Sequence, residues 1–305
     1  MKFKVTELFG GYGQDQATIQ GEGRFVGTPS VFLRLFGCNL ECRGFGMDEG
    51  ATGDPLHTGE PEQIEKMIKI YPDKYKTLND LPLATTGCDS YSSWHKGFKS
   101  FSKDYELDDL VKAISKLVPN GFGYNAHLVI TGGEPLLPGQ QKKYPQLLSE
   151  LWEKCGLTRV TFETNGTQVI TEEFQQWVAY QAPSNMKFYF SCSVKLSCSG
   201  EKKSDRINPA AIDSYVDFIY NNSQSLDDMW FKFVASREKD FDEIDRLLAE
   251  DFSTFSHLQT YVMPVGGTKE ELDKYEMFVV GECLNRGYSY SPRMHVNVFG
   301  NSWGK

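Results

Sequence analysis

Two cysteines near the start of the chain have a spacing that allows both thiolates to reach one metal centre. Cys38 and Cys42 are separated by three residues and follow the apolar run Val31–Leu35. Soft thiolate ligands favour iron–sulfur clusters or zinc. The pair alone is weak evidence, since C-x3-C also occurs by chance or as half of a zinc site. Cys88 lies in a glycine-led turn with polar neighbours, a context typical of a ligand loop.

The four other cysteines are weaker candidates. Cys155 lies at a helix end and Cys283 within an apolar helical pattern, so both are interpreted as core thiols. Cys192 and Cys198 follow a predicted strand, and their role stays open. Seven cysteines are an odd number, which indicates metal binding or catalysis in a reducing compartment rather than a disulfide framework.

A glycine-rich turn, Thr131–Pro135, follows another predicted strand. Its glycines, Gly132 and Gly133, allow the backbone to approach a ligand closely, so its N–H and C=O groups can bind the amine and carboxylate of an amino acid. The same residues also suit an ordinary strand-to-helix turn. The turn becomes a stronger indication of a binding site because it follows a C-x3-C pair in a chain of repeated strand–helix units.

The apolar pattern predicts alternating buried strands and amphipathic helices. The predicted strands are Val31–Leu35, His127–Thr131, Arg159–Thr164, Lys187–Ser191, Trp230–Val234 and Leu258–Met263, with a last candidate at Arg293–Phe299. The predicted helices are Pro61–Ile70, Leu107–Val118, Gln146–Lys154, Thr171–Tyr180, Phe241–Ala249 and Lys269–Asn285. This alternation indicates parallel βαβ units, and six such strands are too few for an eight-stranded barrel. Two polar stretches, 44–86 and 197–208, are predicted to be largely irregular.

Polar or glycine-rich residues follow several of the predicted strands. In parallel α/β folds the chemistry lies at the carboxyl ends of the strands. We therefore expect one face of the sheet to collect Gly37-Cys38, Gly132-Gly133-Glu134, Glu163–Gly166, Ser191 and Met263-Pro264.

The composition restricts the kind of partner and compartment. The 305 residues carry a formal net charge of -9 with a pI near 5.2, which argues against a nucleic-acid scaffold. No apolar run approaches the roughly 18 residues of a membrane span, and the first residues lack the apolar core of a signal peptide. We expect a cytoplasmic protein that acts on a small molecule, with no direct nucleic-acid or membrane partner.

The C-x3-C pair, the Gly-Gly-Glu-Pro turn and the βα repetition resemble the radical S-adenosylmethionine (SAM) superfamily. The usual superfamily motif is C-x3-C-x2-C, and Phe45 occupies the place of its third cysteine. A closer resemblance lies in Ile19–Cys42, which is similar to the N-terminus of the 7-carboxy-7-deazaguanine synthases. In that family a Cys-Asp-Thr or Cys-Asp-Ser follows, and Cys88-Asp89-Ser90 matches it. The likeness continues in order at Glu163–Thr167, Phe231–Val234 and Ser291–Gly304, and covers nearly all the chain.

This resemblance implies a fold and a domain organisation. The fold is a partial (β/α)6 TIM-like α/β barrel of the radical SAM type, with an insertion and a C-terminal strand. Residues 1–305 form a single domain, residues 43–87 are an insertion between the second and third cluster ligands, and residues 291–305 are a C-terminal substrate-site segment. We expect the insertion to fold over the cluster and to bring Cys88 beside Cys38 and Cys42.

The resemblance also implies a reaction. Three cysteines hold a 4Fe–4S cluster with one open iron, where SAM binds and is cleaved to a 5′-deoxyadenosyl radical. The radical abstracts a hydrogen from C6 of 6-carboxy-5,6,7,8-tetrahydropterin, the ring contracts, ammonia leaves and 7-carboxy-7-deazaguanine forms with the help of Mg²⁺. The product belongs to 7-deazapurine biosynthesis of the queuosine type. A flavodoxin- or ferredoxin-like reductant and a homodimeric state are implied in the same way.

By position, the resemblance assigns roles to individual residues. The implied metal ligands are Cys38, Cys42 and Cys88 for the cluster and Ser90 for Mg²⁺. The implied substrate contacts are Ile19, Gln20, Gly21, Glu22, Arg34, Thr131 and His295. The implied SAM contacts are Asp89, Gly132, Gly133, Glu134, Glu163, Ser191, Met263 and Pro264. Lys195 lies two residues beyond the position of the SAM-contacting lysine in the family.

Each of these residues also has a structural interpretation, and the function has alternatives. Arg34 suits an ion pair inside a strand, Glu163 a helix cap, Ser90 a turn, and His295 a packed core position. A radical SAM activase, which makes a glycyl radical on a partner protein, shares C-x3-C and the glycine turn. A non-catalytic iron–sulfur or zinc module is the third possibility.

Overall fold

The computed structural model of the protein describes residues 1–12, 17–47, 60–84, 86–123, 125–222, 224–300 and 302–304. Within these ranges the strands are β1 Lys2–Gly10, β2 Ser30–Leu35, β3 Lys103–Glu106, β4 His127–Gly132, β5 Arg159–Thr164, β6 Lys187–Cys192, β7 Met229–Ala235, β8 Thr260–Pro264 and β9 Ser289–Tyr290. The α-helices there are α1 Glu60–Ile70, α2 Leu107–Leu117, α3 Pro138–Gln141, α4 Tyr144–Cys155, α5 Glu172–Tyr180, α6 Lys203–Arg206, α7 Pro209–Asn221, α8 Glu238–Arg246, α9 Lys269–Arg286 and α10 Met294–Phe299.

All strands in the described ranges join one nine-stranded sheet in the order β3-β1-β2-β4-β5-β6-β7-β8-β9. The pairs from β2 through β9 are parallel, and β1 pairs antiparallel with both β2 and β3. Helices connect β4 through β8 in turn, as right-handed βαβ units require. The six predicted strands correspond to β2 and β4–β8, which confirms the partial (β/α)6 architecture.

Side-chain contacts across the sheet show that it curves into a partial barrel. The rings of His127 on β4 and Tyr189 on β6 have centroids 5.2 Å apart, although β5 lies between those strands. Flat strands two places apart would be separated by about 9–10 Å. Phe25 closes the floor of the concave side, with its ring 4.4 Å from that of His127 and 5.4 Å from that of Trp230.

Alternation along the strands produces the two layers. On β6, Phe188 and Phe190 are fully buried in the main core between sheet and helices, whereas Tyr189 faces the concave side. Helix α2 meets this core with the predicted stripe, and it begins with Asp108 and Asp109, whose charges suit a helix N-terminus. The carboxyl ends of the parallel strands surround one opening of the partial barrel, and the interior of the barrel below that opening is packed.

A small second core lies around α1 and includes residues on both sides of position 87. Ile64 of α1 packs with Tyr75, Tyr91 and Phe98 in a cluster separate from the main core. Trp303 of the C-terminal segment packs against this cluster and donates from Nε1 to the carbonyl of Leu81 at 2.7 Å. Residues 48–59 of the insertion lie outside the described ranges.

The predicted C-terminal strand Arg293–Phe299 is wrong, because residues 294–299 form helix α10. The alternation of apolar and polar residues in Met-His-Val-Asn-Val-Phe imitates a strand, but Val296 is the buried residue of this helix. The edge beyond β8 is occupied by Ser289–Tyr290 instead, and left-handed Gly300 ends α10. The prediction also missed β1, β3 and α7. Among the described residues, no helix combines the length and apolar character needed to cross a membrane.

Candidate active site

One cavity opens at the carboxyl ends of the parallel strands. The predicted site residues that line it are Ile19, Gln20, Gly21, Glu22, Arg34, Cys38, Cys42, Cys88, Asp89, Ser90, Thr131, Gly132, Gly133, Glu163, Met263, Pro264 and His295. Two predicted residues, Glu134 and Ser191, lie outside this lining. These residues range from Ile19 to His295, so distant parts of the chain contribute to one site.

Three free cysteines, Cys38, Cys42 and Cys88, border the same cavity. Burial raises the pKa of Cys38 to about 12 and that of Cys88 to about 11, and it raises the pKa of Cys42 as well. Repulsion between the thiolates adds to the effect at Cys42. The thiols are therefore protonated at neutral pH unless a metal centre displaces their protons.

The arrangement differs from that of a single-ion site. Within the described residues, no group of three His, Cys, Asp or Glu side chains is placed to hold one metal ion. Three thiols spread around a shared cavity instead suit a multinuclear centre, for which thiolates are the usual ligands. The three thiols are the donor type that an iron–sulfur cluster requires.

The glycine turn packs against the loop that carries Cys38. A Cβ on Gly133 would lie 1.9 Å from the carbonyl oxygen of Gly37, and Gly132 has a left-handed φ of +109°. The amide of Glu134 donates to the carbonyl of Gly37 at 2.7 Å. The glycines thus permit close contact between two loops, in addition to any contact with a ligand.

Glu134 is buried, and its hydrogen bonds connect neighbouring loops. Its carboxylate accepts from the amides of Leu136 and Asn165 at 2.8 and 2.7 Å and from Oγ1 of Thr164 at 2.8 Å. Burial raises its pKa to about 7, against the lowering effect of these donors. Asn165 in turn donates to Asn39 at 2.9 Å, next to Cys38. The position of Glu134 favours a role in ordering the Cys38 loop rather than direct contact with a ligand.

A network of charges surrounds Glu22. Its two oxygens accept from Nζ of Lys232 at 2.6 Å and from Nε of Arg293 at 3.0 Å. Arg293 also donates to Asp89 at 2.8 Å and to the carbonyl of Gly266. Burial by itself raises the pKa of the Glu22 carboxyl, but Lys232 and Arg293 outweigh it and hold that pKa well below its usual range. Glu22 is therefore a carboxylate at every physiological pH.

Lys232 and Arg293 were not among the predicted site residues. A signal existed for Lys232, since it is a charge inside the apolar strand sequence Trp-Phe-Lys-Phe-Val. Arg293 lies in the C-terminal segment that carries the resemblance, yet only its pairing across the fold reveals its partners.

Arg34 lines the cavity and makes an ion pair within the fold. Its Nε lies 3.5 Å from Oε2 of Glu7, and one terminal nitrogen donates to Oγ of Ser90 at 3.4 Å. Nε is nevertheless buried and makes no hydrogen bond within the part of the chain that the structure describes. The guanidinium is thus held in place by a structural ion pair with Glu7.

His295 lies on helix α10 beside the loop of Gly21. A Cβ on Gly21 would lie 1.9 Å from Nδ1 of His295, so this position accommodates only glycine. The amide of Met294 donates to the carbonyl of Gly21 at 2.9 Å. Burial lowers the pKa of His295 to about 4, with Arg293 contributing, so the imidazole is neutral at physiological pH.

The remaining contacts fix the loops around the cavity. Gln20 donates to Glu163 at 3.0 Å and so joins the N-terminal loop to the end of β5. Beyond β6, the cavity is lined by Ser193 and Lys195, whose side chains are 3.0 Å apart, rather than by Ser191. Ser191 is buried within β6, where it pairs with Glu163 on β5, and it does not line the cavity.

Comparisons with known proteins found similar sequences and a similar solved structure. No family model matches the chain. A 7-carboxy-7-deazaguanine synthase of Halobacterium salinarum is 27% identical over 305 aligned residues, which cover 93% of this chain and 88% of that protein. One of Hyperthermus butylicus is 28% identical, covering 97% and 92% respectively. The crystal structure of QueE from Escherichia coli is 22% identical, with a TM-score of 0.48 and coverage of 95% and 93%.

Proposed function

We propose that this chain, which belongs to the family of the 7-carboxy-7-deazaguanine synthases, is itself such a synthase. It is a radical SAM lyase that contracts the ring of 6-carboxy-5,6,7,8-tetrahydropterin, releases ammonia and forms 7-carboxy-7-deazaguanine. The observation that carries the proposal is the shared cavity of Cys38, Cys42 and Cys88 with the N-terminal loop and α10. Whole-length similarity to the curated synthases supports the same conclusion.

The three cysteines would hold the 4Fe–4S cluster, and Gly133, Glu163, Met263 and Pro264 would border SAM. Once bound and reduced, the cluster and SAM supply the carbon-centred radical that removes a hydrogen from the substrate. The protein positions the cofactor against the substrate and excludes competing reactions. The glycine turn packs closely against the Cys38 loop and orders it.

The substrate would lie between the N-terminal loop and α10. Glu22 is held as a carboxylate and accepts hydrogen bonds from a pterin's N–H groups. Arg34 lines the cavity, and its guanidinium would make a charge-assisted contact with the substrate carboxylate. Neutral His295 adds a donor or acceptor at the same wall, beside Gly21.

Further features complete the proposal. Mg²⁺ would bind the Ser90 hydroxyl together with the substrate carboxylate, since a hard cation prefers oxygen ligands. A flavodoxin- or ferredoxin-like protein would supply electrons in the reducing cytoplasm, and the product would enter queuosine-type 7-deazapurine biosynthesis. Residues 43–87 are an insertion within one catalytic domain, and the enzyme works as a homodimer.

The alternatives predict different assays. A glycyl-radical activase would cleave SAM without consuming the pterin, and a binding module would turn over neither. The test is anaerobic reconstitution with iron and sulfide, followed by incubation with SAM, reductant and 6-carboxy-5,6,7,8-tetrahydropterin. We expect 7-carboxy-7-deazaguanine by absorbance and mass. An intact cluster that yields no product from the pterin would overturn the substrate assignment.

A further inference from the structure

Cys42 has an unusual backbone conformation. Its φ of 49° is in the left-handed region, and it is the sole residue other than glycine with a positive φ in the described part of the chain. A side chain with a Cβ disfavours this region, so the surrounding structure must impose it. The thiol of Cys42 reaches the cavity from this turn.

A distant carboxylate caps the turn. Oε1 of Glu201 accepts from the amide of Glu41 at 2.7 Å and from the amide of Cys42 at 2.6 Å, across 159 residues in the second case. Two consecutive amides that converge on one anion form a strong, charge-assisted arrangement. The next turn of chain is also docked there, since the amide of Gly44 donates to the carbonyl of Ser199 at 2.9 Å.

The segment that carries Glu201 is itself anchored. A Cβ on Gly44 would lie 2.5 Å from the carbonyl oxygen of Cys198, so the two segments are in close contact. Arg206 is buried and donates to the carbonyls of Glu201 and Lys195 at 3.3 and 2.7 Å. It also forms a 2.6 Å ion pair with Glu243 on α8. The segment that carries Glu201 is therefore fixed in place next to the Cys42 turn.

We propose that Glu201 is a positioning residue that imposes the left-handed turn at Cys42 and sets the reduction potential of the cluster bound there. The inference rests on the cluster of the proposed function. The side chain acts in two separable ways. Its Oε1 orders the two amides. Its negative charge beside the ligand opposes the addition of an electron, because cluster potential depends on local charge.

Two substitutions separate these effects. Glu201→Gln keeps an oxygen acceptor and removes the charge, whereas Glu201→Ala removes both. The matched control is Asp205→Asn, which removes one negative charge from an exposed position of the same segment. We expect Glu201→Gln to take up iron like the wild type but to show a less negative midpoint potential in an EPR-monitored redox titration. Glu201→Ala should take up less iron, and the control should match the wild type in both.

A readout without metal keeps this inference distinct from the proposed function. In the metal-free protein, amide hydrogen exchange at Glu41 and Cys42 should be slow in the wild type and fast in Glu201→Ala. Fast exchange in the wild type, or a Glu201→Gln potential equal to that of the wild type, would overturn the inference. Slow exchange in a wild type that takes up no cluster would support the positioning role of Glu201 at this turn and would overturn the proposed function instead.

Discussion

Arg293 donates a hydrogen bond from Nε to Oε1 of Glu22 at 3.0 Å, although 271 residues separate them. The same guanidinium reaches Asp89, next to Cys88, at 2.8 Å. One buried side chain thus joins the N-terminal loop, the Cys88 turn and the C-terminal segment. Three of the regions that resemble the synthases, Ile19–Cys42, Cys88-Asp89-Ser90 and Ser291–Gly304, are therefore in mutual contact.

Replacing Arg293 should destabilise the fold strongly. In Arg293→Ala, the buried carboxylate of Glu22 loses the cationic partner of one oxygen and keeps Lys232 on the other. Breaking a buried pair typically costs about 3–5 kcal/mol, and we expect the lower end of that range. The measurement is urea denaturation of the metal-free protein. Lys269→Ala removes an exposed pair with Asp273 and should cost about 1 kcal/mol or less. Equal costs for the two variants would show that the Arg293 network contributes little.

Gly133→Ala should disturb the Cys38 loop. The added Cβ would meet the backbone oxygen of Gly37 at 1.9 Å, so one of the two loops must move. We expect reduced iron incorporation on reconstitution and a lower melting temperature. Gly139→Ala is the control, because a Cβ there meets nothing within 4 Å among the described atoms. A Gly133→Ala protein with full iron content would contradict the proposed packing of the two loops.

His127 should make stability fall in acid. Burial, with a contribution from Arg159, lowers its folded-state pKa to about 4, from an ordinary value of 6.5. Between pH 6.5 and 4 the imidazole is protonated in the unfolded chain but not in the folded protein. The free energy of unfolding therefore decreases as the pH falls from 6.5 to 4. The loss amounts to roughly 3 kcal/mol at 1.4 kcal/mol per pH unit.

The check is the free energy of unfolding of wild type and His127→Gln across that pH range. The variant should lose less stability between pH 6.5 and 4. His257→Gln, at an exposed histidine, should keep the slope of the wild type. Parallel pH curves for wild type and His127→Gln would show that His127 is not the group responsible.

Local patterns were sufficient to predict the strands that form the barrel. Strands β2 and β4–β8 are apolar runs, and burial of such runs between helices leaves few alternatives. The pattern failed for α10, because Met-His-Val-Asn-Val-Phe has the period of a strand and only the occupied sheet edge excludes one. Sequence periodicity contains no information about which edge is free.

Site residues on matched motifs were predictable, whereas their supporting contacts were not. Gly21 and His295 both border the cavity, as expected, but the exclusion of any side chain at Gly21 by the imidazole depends on tertiary packing. Glu201 and Arg293 act through pairings that span 159 and 271 residues. Ser191 was assigned from its place at a strand end, yet it is buried within β6 and does not line the cavity, whereas its pairing partner Glu163 does.

The central claim is that Cys88 acts with Cys38 and Cys42 across the insertion to hold a catalytic cluster. The direct measurement is iron content and the EPR spectrum of the reduced protein after anaerobic reconstitution of Cys88→Ala, beside Cys155→Ala as a buried-cysteine control. We predict that Cys88→Ala loses the 4Fe–4S signal and most of its iron, while Cys155→Ala keeps both. A Cys88→Ala protein with the full wild-type cluster would contradict the account.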